Sequence, residues 1–517
     1  MSPFRPTIAS LFRSVCAKYP QRTAVVHDGQ RWTFAQWGER VARLASVLAA
    51  RGVSPGRRVA ILLQTSEATA AAYMACQLLG AVAVPLNFRL SGREAAYIVQ
   101  DCDAALLVFD ASVETAVERI QRECPGLSCL RAGPAGALHA EDLEAAIEAA
   151  EVLRMQADVD ADTHSALVYT SGTTGRPKGV IHTHANDVAI AFNCTMEYHL
   201  APEDVALHIA PLYHVGGMQA YFLPHMLVGA ANVISSRYEP GLALALMARE
   251  RVTTLFAVPT QIQDMLMHPE FGQHDRSSLR LITTGGAALS AATMERVVSE
   301  FCEGIYNGYG MTEASLTLLL HPRDALARLG SCGKPTLISE CELRGTGGQP
   351  VELQPGEVGE LWVRGPQMTP GYWNKPEQTA QRLRDGWLQT GDLFSRDAEG
   401  YYFFRGRIDD MIVTGGENVY PREVEELLYR CPGVQEAAVV GLPDPRWGQA
   451  VCAFVVRKDP ALDAKTVDAF CRGSGELAAF KCPKRIEFVD ALPMNPSGKV
   501  LRHELLARFG HSAQRVA

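Results

Sequence analysis

Apolar positions along the chain switch between two spacings. From Phe34 to Ala50 they recur at helical intervals, which predicts a helix closed by Gly52; Val59 to Leu63 is a short continuous apolar run, which predicts a strand; Ala68 to Leu79 returns to a helix. A strand over Ala81 to Pro85 follows. The runs Ala105 to Phe109, Ala166 to Tyr169, Val233 to Ser235, Thr254 to Val258 and Leu279 to Thr283 are apolar on both alternating faces, as in strands of parallel sheets covered by helices. Beyond Glu340 the segments shorten and alternate, with turns at Gly347-Gly348, Pro355-Gly356 and Glu399-Gly400, which predicts antiparallel strands or a small barrel. A linker is expected over Arg405 to Asp410. After it, Val424 to Tyr429, Ala437 to Val440, Cys452 to Val456 and Thr466 to Cys471 carry helix and strand signals of their own.

The expected fold class is therefore α/β: a large N-terminal domain of stacked α/β sheets, residues 1–406, in which 340–406 form a small β-barrel-like subdomain, and a mobile α+β C-terminal lid domain, 407–517. A chain of 517 residues with 47% apolar composition can bury several cores, so a multi-domain enzyme is expected. The net charge of -8 argues against nucleic acid as a partner, since phosphate backbones need a basic face. The 13 cysteines show no C-x-x-C spacing and the N-terminus has no apolar signal core, which points to reduced thiols and a cytoplasmic enzyme. Ala68 to Phe88 and Val205 to Ser236 carry no Asp, Glu, Lys or Arg, but glycines and prolines interrupt both, so each is expected to be a core or pocket wall and not a membrane span.

One loop concentrates chemistry. Tyr169-Thr170-Ser171-Gly172-Thr173-Thr174-Gly175-Arg176-Pro177-Lys178-Gly179 follows an apolar strand, and its glycines, hydroxyls and lysine suit a polyphosphate. It is not a Walker loop, because only two residues separate Gly172 from Gly175 and a glycine follows the lysine. Four further motifs come in order: Asn307-Gly308-Tyr309-Gly310-Met311-Thr312-Glu313; Gln389-Thr390-Gly391-Asp392-Leu393; Gly406-Arg407-Ile408-Asp409-Asp410 running into Gly415-Gly416-Glu417-Asn418; and Asn495-Pro496-Ser497-Gly498-Lys499. With the first loop they resemble the adenylate-forming family of acyl-CoA synthetases, aryl-CoA ligases, firefly luciferase and peptide-synthetase adenylation domains, over nearly the whole chain.

The resemblance implies an ATP-dependent carboxylic acid:CoA ligase that forms an acyl-adenylate and then passes the acyl group to coenzyme A. ATP would be held by Thr170, Ser171, Gly172, Thr173, Thr174, Gly175 and Lys178, by Gly286, Ala287 and Ala288, and by Asn307, Gly308, Tyr309, Gly310 and Thr312, with Asp392 accepting from the ribose and Arg407 assisting. Tyr309 offers a flat face for adenine, and the small Gly308 and Gly310 let the nucleotide approach the backbone. Glu313 would hold Mg²⁺ as a hard oxygen ligand. Lys499 would bridge carboxylate and α-phosphate, because two anions must meet. Thr312 and His214 complete the expected catalytic set.

Resemblance to the CoA-ligase branch implies CoA contacts at Gly415, Gly416, Glu417, Trp447, Phe480, Lys481 and Arg89, with a hinge at Asp409. The paired glycines would leave room for the pantetheine arm. The acyl pocket would be drawn from Phe192, His214, Val215, Gly216, Phe256, Gly286, Gly308, Gly310 and Ser315; these offer no basic group for a second carboxylate, so a hydrophobic monocarboxylic acid is expected, aromatic or fatty. A homodimer is allowed. The alternative is a stand-alone adenylation enzyme that loads a carrier-protein thiol; the sequence does not name the acid.

Overall fold

The computed structural model describes residues 5–138, 140–153, 159–170, 177–287, 289–345, 353–494 and 500–509. Four sheets organise them. The first has nine strands in the order Lys334–Pro335, Ser315–Leu320, Ile305–Met311, Leu281–Gly285, Thr254–Phe256, Val205–His208, Ala231–Ile234, Thr23–His27 and Gln30–Thr33. The second has seven: Glu141–Asp142, Ser128–Ala132, Ala104–Asp110, Arg58–Leu62, Val82–Pro85, His164–Thr170 and Lys178–Thr183. Pairing inside both is parallel, and antiparallel strands occur only toward their ends. These are the strands whose sequences are apolar throughout, as burial of both faces requires.

The helix Phe34–Ala50 begins at a capping box in which the Thr33 side chain accepts from Gln36 and Gln36 reaches back to the Thr33 N–H. Glu67–Leu79 ends at Gly80, whose φ of 66° closes the last turn. This alanine-rich helix packs among Ala24, Val25 and Ile234 of the nine-stranded sheet and Val59, Ile61, Ala83 and Val108 of the seven-stranded one. Small side chains let it lie between two sheets. The second uncharged stretch forms Val205–His208, a loop, a wide π-type turn over Met218–Phe222, the helix Leu223–Val228 and the strand Ala231–Ile234. Among the described residues, no helix is long and apolar enough to cross a membrane.

Strands from residues 340–407 form a third sheet that is antiparallel throughout: Glu340–Arg344, Val358–Arg364 and Trp387–Arg396, with Leu383–Arg384 and Tyr402–Arg407 also paired to Trp387–Arg396. The expected linker is only partly a linker, because its first residues stay in this sheet through the Asp392 and Arg407 pairing; a single 3₁₀ turn follows over Ile408–Asp410. The fourth sheet draws all its strands from Ile412 to Phe488 and has cores on both faces, one around Val439 and Phe480 and one around Phe454 and Leu505. The fold is thus mixed α/β, with a large N-terminal domain and a smaller C-terminal one.

Candidate active site

The candidate residues gather where parallel strands end, the place where open α/β sheets leave a crevice. Phe256 closes Thr254–Phe256 and lies beside Thr283; Gly285 closes Leu281–Gly285 and lies beside Gly308. Gly286 follows with φ +80°, and a Cβ there would meet nothing within 4 Å, so it borders open space. The hydroxyls of Thr170, Thr284 and Ser315 are buried and find no hydrogen-bond partner among the described residues. Buried hydroxyls without partners are expected where a polar ligand completes the site.

The phosphate corner is built from two sheets. Thr170 and Lys178 are cross-strand partners flanking the glycine-rich loop, and Lys178 opens a strand, not a helix. The Lys178 ammonium lies 3.1 Å from Glu313 Oε1 and 4.0 Å above the Tyr372 ring. The Tyr372 hydroxyl donates to the same Oε1 at 2.8 Å. Glu313, 6% exposed, is therefore a buried carboxylate that already attracts a cation. No cluster of three or more His, Cys, Asp or Glu among the described residues could hold a metal by itself. One carboxylate beside a phosphate corner fits Mg²⁺, which is commonly bound by one or two carboxylates plus substrate phosphates.

At the nucleoside corner, the Tyr309 hydroxyl donates to Asp392 Oδ2 at 2.6 Å, and Arg407 Nε approaches Oδ1 at 3.4 Å. The Tyr309 ring is half-buried against Phe394 and Phe404, which fixes its plane. Burial and the Asp392 carboxylate both push the Tyr309 phenol upward, so it stays a donor. The Asn307 amide donates to the Ser331 carbonyl at 3.0 Å. The glycines also have a reason the sequence did not show. A Cβ on Gly310 would sit 2.2 Å from the Ser315 carbonyl oxygen, so the backbone of neighbouring strand Ser315–Leu320 requires that position to be small, whereas one on Gly308 would sit 2.7 Å from Leu316 Cδ1, the end of a side chain that can move.

For the acyl pocket, Gly216 faces the Phe256 ring, with a Cβ there 3.3 Å from Phe256 Cζ. Gly308, Gly310 and Ser315 line up on the adjoining strands, and Leu316, absent from the expected set, borders Gly308. Phe192 stands 49% exposed on the helix His184–Glu197, one turn before the exposed Met196. His214 is half-buried beside Tyr213, with ring centroids 4.7 Å apart, and Val215 follows. Burial pushes the His214 imidazole down to about 4, which leaves it neutral near pH 7. Tyr213 packs edge-on against Phe88, and the Arg89 guanidinium lies over the Phe88 ring, 5.3 Å from its centroid.

In the C-terminal domain, Thr414 and Glu417 pair across a two-residue turn whose Gly415 and Gly416 have φ of 61° and 87°. Positive φ at both positions is the requirement of a tight hairpin, and it accounts for the glycine pair locally. The Trp447 ring lies on Gly415, where a Cβ would come within 2.9 Å of it. Lys481 is paired to Glu423 at 2.7 Å, next to the half-buried Phe480. Asp409 is exposed, while its neighbour Asp410 is tied to Arg502 at 3.3 Å. Ser171, Gly172, Thr173, Thr174, Gly175, Ala288 and Lys499 lie outside the described residues.

Sequence reasoning missed Tyr372, 4% exposed, and Thr369, whose N–H donates to the Glu313 carbonyl at 2.8 Å. The signal was the aromatic pair Tyr372-Trp373 after Pro370-Gly371, an apolar insertion in an otherwise polar stretch.

A family model described as AMP-binding enzyme matches residues 12–373, and one described as AMP-binding enzyme C-terminal domain matches 423–499. The chain is 41% identical over 493 residues to a feruloyl-CoA synthase of Amycolatopsis sp, covering 95% of this chain and 96% of that protein. It is 36% identical over 506 residues to the fatty acid–[acyl-carrier-protein] ligase ScoC of Streptomyces coeruleorubidus, covering 96% and 95%. Among solved structures, the anthranilate CoA ligase AuaEII in complex with anthranoyl-AMP superposes with a TM-score of 0.91 at 29% identity, covering 99% of each chain.

Proposed function

The chain belongs to the AMP-binding enzyme family, and from that membership we infer how its residues divide the work of an AMP-forming acid–thiol ligase. The overall reaction joins a carboxylic acid to CoA at the expense of ATP. In the first step a carboxylate oxygen attacks the α-phosphorus, and the bond from that phosphorus to the bridging oxygen breaks, so pyrophosphate leaves with the electron pair. In the second the CoA sulfur attacks the acyl carbon, the carbon–oxygen bond breaks and AMP leaves. The substrate is aromatic or fatty.

Within this reading, Asp392 and Arg407 hold the ribose, Tyr309 covers the adenine, and Gly286, Ala287 and Ala288 form the opposite wall. Lys178 and the loop Thr170 to Gly175 take the polyphosphate. Glu313 would hold Mg²⁺, which would supply charge neutralisation for the phosphates. Lys499 and Thr312 steady the α-phosphate against the incoming carboxylate. His214, neutral and packed beside the Tyr213 ring, keeps water from the mixed anhydride until the thiol arrives. The division at residue 406, a hinge near Asp409, CoA contacts on the Gly415-Gly416 face and on Arg89, Trp447 and Lys481, a cytoplasmic setting and a homodimeric state belong to the same proposal. Thirteen free cysteines support the reducing compartment.

The observation that carries the reading is the meeting of Lys178, Glu313 and Tyr372 at one end of the crevice and Tyr309, Asp392 and Arg407 at the other, beside the apolar Gly216–Phe256 wall. A basic group for a second carboxylate is missing among the described pocket candidates, which favours a monoacid with an apolar body. Pyrophosphate release over benzoates, cinnamates including ferulate, and C6 to C16 fatty acids tests it. The expected result is release with one of these classes and thioester on adding CoA. The similarity to ScoC favours a second reading, in which a carrier-protein thiol is the acceptor. Adenylate discharged by a holo carrier protein but not by free CoA would establish that second reading.

A further inference from the structure

Five residues, Thr369 to Trp373, form a strap across the phosphate corner. Tyr372 makes an antiparallel bridge with Val180, Trp373 N–H donates to the Gly179 carbonyl at 2.8 Å, and Ile181 N–H donates to the Gly371 carbonyl at 3.0 Å. The strap therefore lengthens the seven-stranded sheet beside Lys178–Thr183. At its other end the Thr369 N–H holds the Glu313 carbonyl, and the Thr369 hydroxyl is shared between the carbonyls of Ile181 and Gly371 at 2.7 and 2.8 Å. Lys178 belongs to one sheet and Glu313 follows a strand of another; the strap is bonded to both.

We propose that Tyr372 is a positioning residue that aims Glu313 at the divalent cation, while Lys178 is the donor exchanged for that cation when nucleotide arrives. This rests on the reading of Glu313 as the cation's ligand. Glu313 Oε1 accepts from Tyr372 at 2.8 Å and from Lys178 at 3.1 Å. A carboxylate oxygen offers two lone-pair sites, so this oxygen is saturated and a cation can reach it only if one donor leaves. Tyr372 is not the one. Its ring is buried and its N–H donates to Thr379 Oγ1 at 3.0 Å. The preceding Gly371 has φ +151°, and a Cβ on it would stand only 2.6 Å from Thr379 Cγ2, so the strap is locked on both sides. Lys178 has a flexible stem, a side chain 21% exposed and a phosphate loop beside it. When its ammonium turns to the phosphates, Oε1 opens to the cation and the Tyr372 hydroxyl keeps the carboxylate from rotating. Partners of this kind behind a ligand typically set metal affinity by about 10- to 100-fold.

The test is Mn²⁺ binding to the full chain, read by electron paramagnetic resonance in the presence of α,β-methylene-ATP, with affinity for that analogue measured separately in EDTA. Tyr372→Phe should weaken Mn²⁺ by about tenfold or more. Its metal-free affinity for the analogue and its Tm should stay close to wild type, as a role in scaffolding alone would not predict. Thr369→Val is the scaffolding control: a lower Tm with Mn²⁺ affinity unchanged. If Glu313→Gln binds Mn²⁺ as wild type does, the ligand reading beneath the proposal fails. If Glu313→Gln loses Mn²⁺ while Tyr372→Phe keeps it, or if Tyr372→Phe weakens the analogue as much without metal as with it, the positioning role is overturned and the ligand reading stands.

Discussion

Gly310→Ala places a single methyl group where the structure leaves no room. The Cβ would lie 2.2 Å from the Ser315 carbonyl oxygen and 2.8 Å from its carbon, and both atoms belong to the backbone of the antiparallel neighbour, so no side chain can step aside. The two strands must part by roughly 1 Å, against a normal strand spacing of about 4.8 Å. Overpacking of this kind costs about 1–3 kcal/mol, and a lost ladder hydrogen bond adds about 1 kcal/mol, for a total of about 2–4 kcal/mol. The displaced segment leads straight into Thr312 and Glu313, and a misplacement near 1 Å at a reacting group can lower the rate by about 100-fold. Acid-dependent ATP–pyrophosphate exchange, with urea unfolding alongside, should show both losses. Gly308→Ala is the internal comparison: its Cβ meets Leu316 Cδ1 at 2.7 Å, the far end of a flexible side chain. A rotamer change there costs about 1 kcal/mol, so exchange with small acids should stay within about tenfold while preference among larger acids changes. Gly310→Ala exchanging within threefold of wild type, or Gly308→Ala proving the more damaging, would refute this account of why the strand carries glycines.

Lys499→Ala should lose adenylation by several orders of magnitude, at about 3–4 kcal/mol or more for a charge used in the transition state, yet make thioester from supplied acyl-adenylate within about tenfold. Single-turnover assays of each half-reaction decide it, and equal damage to both steps would exclude a lid that presents Lys499 in one orientation only. His208 and His225 are buried, and burial pushes them from 6.5 down to about 3 and about 4. Between those values and 6.5 the unfolded chain binds more protons than the folded one, so this stability is complete above pH 6.5 and falls as pH drops through the window, by about 1.4 kcal/mol per histidine near pH 5.5. Urea midpoints from pH 7.5 to 5 should show it, and His225→Gln should flatten the dependence; identical slopes for the two proteins would contradict the assignment.

The elements that the sequence made legible are those in which neighbours along the chain decide the outcome. Apolar positions at helical spacing announce the helix Phe34–Ala50, and continuous apolar runs announce strands buried on both faces, because periodicity and burial act within a few residues. Boundaries were less legible: the strand expected over Leu279 to Thr283 runs instead over Leu281–Gly285, and at its start the N–H groups of Arg280 and Leu281 share the carbonyl of Thr253, a partner that local sequence does not reveal. The same division runs through the site. Residue types suited to phosphate, ribose and cation were evident as motifs, since each loop must contain its own donors, acceptors and glycines. Their pairing was not evident. That Tyr309 donates to Asp392, that Tyr372 and Lys178 share one oxygen of Glu313, that Asn307 serves Ser331, and that Gly310 answers to Ser315 all depend on strand order and register. A motif records which groups a loop brings, but a hydrogen bond needs two groups within about 3 Å, and only the packing of sheet against sheet sets that distance.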